Sequence, residues 1–110
     1  MITVVNEWKF KKNGNKDEGL NAAVDLVEYF KKEEPGVRLS LWLQDVNDSD
    51  KYFHITVFES KENYEKVRNS SGIEQFVDRL YPEVDEDGVV RSECEIILCN
   101  ETKLGAINLI

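Results

Sequence analysis

Few residues of this 110-residue chain can do chemistry, and they are of unlike types. His54 is the single histidine, and imidazole is the side chain whose ordinary pKa lies near neutrality, which suits a general base. A strand histidine packed at a subunit interface is the competing reading. Asn6 lies on an otherwise apolar segment, so its amide, if buried, needs partners from a ligand or a neighbouring strand. Trp8, Trp42 and Phe58 offer flat apolar surface on which a planar substrate could stack; filling a core or an interface is the plainer use of such rings. Arg38 could hold an anionic group of that substrate, or pair with one of the abundant carboxylates.

Other groupings carry less. Cys94 and Cys99 are five residues apart, which on a strand places them on opposite faces and about 16 Å apart, beyond disulfide reach. Glu93 and Glu95 flank Cys94 and work against a reactive thiolate. One histidine and no Cys-x-x-Cys leave no pattern for a structural zinc site. Asp85-Glu86-Asp87-Gly88 lacks the ligand spacing and closing glutamate of a calcium loop and reads as a solvated turn.

The elements that must position these residues belong to one acidic domain. Its 22 acidic residues against 14 basic ones give a net charge of -8, a sign that works against nucleic-acid backbones and anionic membrane surfaces. A hydrophobic content of 41% is too high for a disordered tail, and charges interrupt it too often for a membrane span. The opening segment has no basic start and too short an apolar run for a secretory signal. The Asn-x-Ser/Thr triplets at Asn47, Asn69 and Asn100 therefore read as chance, and a reducing cytoplasm is the expected compartment.

Residues 2–11 alternate as a strand, with Ile2, Val4, Trp8 and Phe10 on one side. Leu20, Ala23, Val24, Val27 and Phe30 mark one stripe of a helix from about 18 to 33, which Pro35-Gly36 ends. Residues 37–45 and 52–59 alternate around a turn cluster at 47–50 and predict a β-hairpin. Val37, Leu39, Leu41, Leu43, Phe53, Ile55 and Val57 form one face of it. Arg38, Ser40, Trp42, Gln44, Tyr52, His54, Thr56 and Phe58 form the other. Ser60 caps a helix over 61–68, a second helical piece carries Ile73, Phe76, Val77 and Leu80, and 89–99 reads as a last strand. The order β-α-β-β-α-β predicts an α+β, ferredoxin-like fold with an antiparallel sheet over residues 1–99, followed by an apolar tail over 100–110.

Both helices on one face of such a sheet leave the other face open to water. The expectation is that the Trp42 face is the uncovered one, joined by Cys94, Ile96 and Leu98 or by Ile97 and Cys99. A face that apolar predicts a homodimer closed sheet to sheet, with the tail as a further clasp on the partner subunit.

Several segments together resemble the antibiotic biosynthesis monooxygenase (ABM) family of dimeric α/β barrels. They are Asn6 on the first strand, Glu34-Pro35-Gly36-Val37, Ile55-Thr56-Val57-Phe58-Glu59-Ser60, Glu62-Asn63-Tyr64, Ser70-Ser71, Ile73 to Phe76 and Leu80-Tyr81-Pro82. The resemblance covers residues 1 to about 99. It implies a cofactor-independent oxidation of a planar phenolic or quinone-like molecule, in a cavity between helices and sheet. Asn6, Trp8, Trp42, His54 and Phe58 are the expected site residues. The family also has a haem-degrading branch, whose site combines the strand asparagine with a tryptophan and a helix histidine. Here Phe58 and Val77 stand at those last two positions, so haem cleavage is not expected. The alternative is a non-catalytic dimer that binds a small ligand or serves as an interaction module.

Overall fold

The computed structural model describes residues 1–85 and 89–96. Strand β1 (Ile2–Lys9) alternates between buried and half-buried positions, with Val4, Asn6 and Trp8 turned inward and Phe10 just beyond its end. Helix α1 (Lys16–Glu33) starts where Asn15 Oδ1 accepts the Glu18 amide proton at 3.1 Å. Asp17 and Glu18 complement its N-terminus, and Lys31 and Lys32 its C-terminus.

Its buried stripe is Gly19, Ala22, Ala23, Leu26 and Phe30, which keeps Ala23 and Phe30 of the expected stripe but is rotated away from Leu20, Val24 and Val27; Val24 is 43% exposed. The small residues explain the rotation, because they let the helix approach the sheet. A Cβ on Gly19 would lie 2.4 Å from Cε1 of the buried Phe10 ring.

Strands β2 (Val37–Asp45) and β3 (Asp48–Phe58) meet in a two-residue turn at Val46 and Asn47, so the acidic cluster starts β3 instead of forming the loop. Asp45 Oδ1 accepts the Asn47 amide proton at 2.7 Å, and Asp48 pairs with Lys9 of β1. Helix α2 (Lys61–Arg68) is capped by Ser60 Oγ, which accepts from the Asn63 amide at 3.1 Å. A 3₁₀ turn (Ser71–Ile73) leads into α3 (Glu74–Leu80), and β4 (Val90–Glu95) completes the order.

The sheet runs β2-β3-β1-β4 with every described pairing antiparallel, which is the predicted ferredoxin-like α+β arrangement. Val4, Leu26, Phe30, Phe58, Tyr64, Val67 and Phe76 form one buried cluster. Trp8, Phe10, Ala22, Tyr52, Leu80 and Val84 form the other.

The two sheet faces are the reverse of the expected assignment. Trp42, Tyr52, His54, Thr56 and Phe58 face the helices, and Leu39, Leu41, Leu43, Phe53, Ile55 and Val57 lie on the open side. The β1–β3 register decides this. Val4 pairs with Thr56, Asn6 with His54 and Trp8 with Tyr52, and directly opposed residues share a face. Val37 also departs from the leucine set. A register shift between Val37 and Leu39 leaves Arg38 as the extra residue, so that Val37 pairs with Phe58 and packs on the core. On β4, Cys94 pairs with Thr3 and falls on the open face, opposite Trp42. Cys99, the rest of the expected last strand, the tail over 100–110 and residues 86–88 of the acidic turn lie outside the described residues.

Candidate functional site

A cavity of about 100 Å³ lies between the sheet and the helices, walled by members of both core clusters. Its floor carries Asn6 and Trp8 from β1, Trp42 from β2, His54, Thr56 and Phe58 from β3, and Arg91 from β4. Its roof comes from α1, α2 and α3, with Leu26, Phe30, Tyr64, Val67, Phe76 and Leu80 prominent. Five of the sequence-derived candidates, Asn6, Trp8, Trp42, His54 and Phe58, therefore border one space. Arg38 does not. It sits at the β2 irregularity with Nη1 3.2 Å from Glu59 Oε1, on the protein surface.

The described residues bury three polar side chains, Asn6, His54 and Thr56, and all three line this cavity. Scattered burial of polar groups costs free energy at each position, so their gathering at one void makes it the candidate site. Cross-strand pairing brings it about: Asn6 faces His54 across β1–β3, Trp42 faces His54 across β2–β3, and Ser40 faces Thr56.

His54 is 4% exposed, and both hydroxyls near it approach one nitrogen, with Ser40 Oγ 2.8 Å and Thr56 Oγ1 3.1 Å from Nε2. Its ring lies against Trp42 at a centroid distance of 4.5 Å. Among the described residues no carboxylate repays the cost of charging it there, and burial lowers its pKa from 6.5 to about 4. At neutral pH the imidazole is uncharged. Asn6 Oδ1 accepts from Arg91 Nε at 3.0 Å, which orients the amide with its NH₂ away from β4. Trp8 stacks at 6.1 Å on Trp42 and meets Tyr81 edge-on at 5.5 Å. The indole Nε1 atoms of Trp8 and Trp42 are buried with no hydrogen-bond partner among the described residues.

Arg91, Tyr64, Thr56 and Ser40 were not legible as site residues in the sequence. Arg91 enters only through the β1–β4 register, which opposes it to Asn6. The Tyr64 hydroxyl donates to Glu93 Oε1 at 2.7 Å, and burial together with that carboxylate raises its pKa. Beyond Arg68 and Arg91 the cavity meets an outer groove of about 460 Å³ along α2 and α3, with which it shares Ile73, Val77 and Tyr81. Val77, at the position of the haem-binding histidine in the resemblance, offers the cavity only methyl groups. Among the described residues no group of three or more His, Cys, Asp and Glu could hold a metal ion. None of their helices is long and apolar enough to cross a membrane.

The fold recurs in solved structures of low sequence identity. SnoaB, a cofactor-independent oxygenase from Streptomyces nogalater, superposes with a TM-score of 0.78 at 14% identity, covering 92% of this chain and 97% of that one. A putative antibiotic biosynthesis monooxygenase from Caulobacter crescentus gives 0.80 at 15% identity, covering 88% and 90%. A conserved protein from Methanosarcina mazei gives 0.75 at 17%, covering 84% and 89%. No curated protein matches the sequence. The family model described as antibiotic biosynthesis monooxygenase matches residues 1–79, from β1 into α3, the stretch that builds most of the cavity. The chain belongs to the antibiotic biosynthesis monooxygenase family.

Proposed function

We propose that this protein is a small oxygenase that oxidises a planar phenolic or quinone-like molecule without metal or flavin, working as a homodimer. The observation that carries the reading is the meeting of Asn6, His54 and Thr56, the three buried polar side chains among the described residues, at one aromatic-walled cavity. In the overall reaction a phenol and O₂ give a quinone and water. The ionised substrate supplies the electrons, and the protein's part is to hold and stabilise the anion. With its Oδ1 held by Arg91 Nε, Asn6 donates from its NH₂ group to the substrate oxygen. His54 is neutral and presents Nδ1, because its hydroxyl partners both approach Nε2. With a pKa of about 4 it positions the substrate by hydrogen bonding and does not store the departing proton. Trp42 and Phe58 supply the stacking surfaces.

At about 100 Å³ the inner cavity is smaller than the roughly 300 Å³ where ordinary ligand pockets begin. One ring therefore occupies it, and the remainder of the substrate lies in the outer groove. That same tightness favours a second reading, a non-catalytic dimer whose aromatic side chains fill the space. Oxygen uptake in chelator-treated buffer separates the two. A phenol panel giving a quinone labelled from ¹⁸O₂, with the rate falling at least about tenfold in Asn6→Ala, supports the oxygenase. Ligand-induced thermal shifts with no uptake on any phenol support the second reading.

For the dimer, the partner is a second copy seated on the open sheet face, where Leu39 and Leu43 are 46% and 41% exposed beside Leu41, Phe53, Ile55 and Val57. A stable interface needs about 800 Å² from each side, which a four-stranded face can supply.

A further inference from the structure

The charge lining the cavity runs against the charge of the chain. Acidic residues outnumber basic ones 22 to 14, yet among the described residues the cavity is bordered by Arg68 and Arg91 and by no aspartate or glutamate. Both arginines also border the outer groove, so they stand at the junction of the two spaces. Arg91 is bound to a neutral partner: its Nε donates to Asn6 Oδ1, and among the described residues no carboxylate lies within ion-pair distance of it. Arg68 is only loosely neutralised, with Nη1 4.0 Å from Glu93 Oε1, and that carboxylate is already engaged by the Tyr64 hydroxyl at 2.7 Å. Glu74 and Asp78 line the groove but not the inner cavity.

A guanidinium held through Nε to a neutral amide keeps its two Nη groups for another acceptor. A planar fork of that kind matches a carboxylate best. Both guanidiniums are exposed at the mouth of the cavity, so a carboxylate there gains charge-assisted hydrogen bonds that a neutral group of the same shape does not.

We propose that the ligand of this cavity is an aromatic carboxylate. Its ring lies in the inner cavity, and its carboxylate stands at the junction, bound by Arg91 with Arg68 as the second cation. The inference rests on the reading of the cavity as a ligand site and specifies the ligand that site takes.

Matched acid–amide pairs, from hydroxybenzoate and hydroxybenzamide to 3-hydroxy-2-naphthoate and 3-hydroxy-2-naphthamide, test it. The readout is quenching of the fluorescence of Trp8 and Trp42, the two tryptophans of the chain, both on the cavity wall. The expected result is that at least one acid binds about tenfold or more tightly than its amide. Added salt should weaken only the acid. Arg91→Gln and Arg68→Gln should each narrow the ratio, and Lys66→Gln, the same charge change on the exposed side of α2, should leave it in place. Circular dichroism of each variant separates lost binding from lost folding. Acid and amide binding equally well would overturn the carboxylate inference and leave the site reading standing. No binding by any pair would overturn both.

Discussion

Trp42 lies flat against His54, with ring centroids 4.5 Å apart and planes 11° from parallel, because the β2–β3 register sets the two residues directly opposite. The indole covers the face of the imidazole, and Ser40 and Thr56 occupy its Nε2 edge. The histidine is thereby removed from water on the side nearest the edge strand, and its neutral form is favoured. One cross-strand pair thus decides both the position and the charge of the only histidine.

A pH dependence follows from that charge. Unfolding returns His54 to its ordinary pKa of 6.5, against about 4 in the folded protein. Above pH 6.5 both states are neutral and the group contributes nothing to the pH slope. As pH falls from 6.5 towards 4, the unfolded chain takes the proton first and stability is lost. The loss is about 2 kcal/mol between pH 7 and pH 5. Urea unfolding at the two pH values should show the slope reduced by that amount in His54→Gln. An equal slope in both proteins would place the histidine in water.

Asn6→Ala removes the acceptor of the Arg91 bond and the proposed donor to the substrate. Because Arg91 is exposed and can be resolvated, the stability cost should stay near about 1 kcal/mol. Affinity for a bound phenol should fall roughly tenfold or more, since the cavity loses a charge-stabilising donor. Calorimetric titration alongside thermal melting measures both quantities on one sample.

Gly19→Ala sets two effects against each other. Alanine gains about 1 kcal/mol of helix propensity over glycine within α1. The new methyl carbon would stand 2.4 Å from Cε1 of Phe10, a ring only 1% exposed and packed edge-on against Tyr52 at 5.3 Å. Overpacking of that kind costs about 1–3 kcal/mol and should prevail. The expected outcome is a lower denaturation midpoint with an unchanged denaturant slope.

Ile55→Lys tests the proposed dimer. Ile55 lies on β3, an interior strand of the sheet, with its side chain on the open face between the Leu41 and Val5 positions. A lysine there remains solvated in a monomer and would be buried unpaired in a sheet-to-sheet dimer. Light scattering should give twice the 12.7 kDa chain mass for the native protein and 12.7 kDa for the variant. A native mass of 12.7 kDa at micromolar concentration would refute the dimer.

The order of elements, the hairpin, the capping residue Ser60 with its first turn, and the grouping of Val4, Trp8 and Phe10 on one side of the first strand are all properties of short stretches of sequence. Period and capping chemistry act within a few residues, so a linear reading reaches them. That reading also singled out Asn6, His54, Trp8, Trp42 and Phe58, because an amide or an imidazole on an apolar strand is conspicuous locally.

Which hairpin face would meet the helices was beyond its reach. Both faces are apolar enough to be buried, Leu39, Leu41, Leu43, Phe53, Ile55 and Val57 on one and Trp42, Tyr52, Thr56 and Phe58 on the other. The more polar set is the one inside. The choice rests on pairing between β1 and β3, more than forty residues apart, where a slip of one position would turn every side chain to the opposite face. The helix stripe was misjudged for a related reason: packing distance favoured Gly19 and Ala22 over the larger Leu20 and Val24. Arg91 escaped notice altogether, because nothing near it in the chain refers to Asn6, and only the antiparallel register of β1 and β4 brings them within a hydrogen bond. The sequence by itself determined which elements form and which residues could do chemistry. The long-range strand registers decided which of those residues share a cavity, since side-chain direction alternates at every residue and only pairing sets its phase.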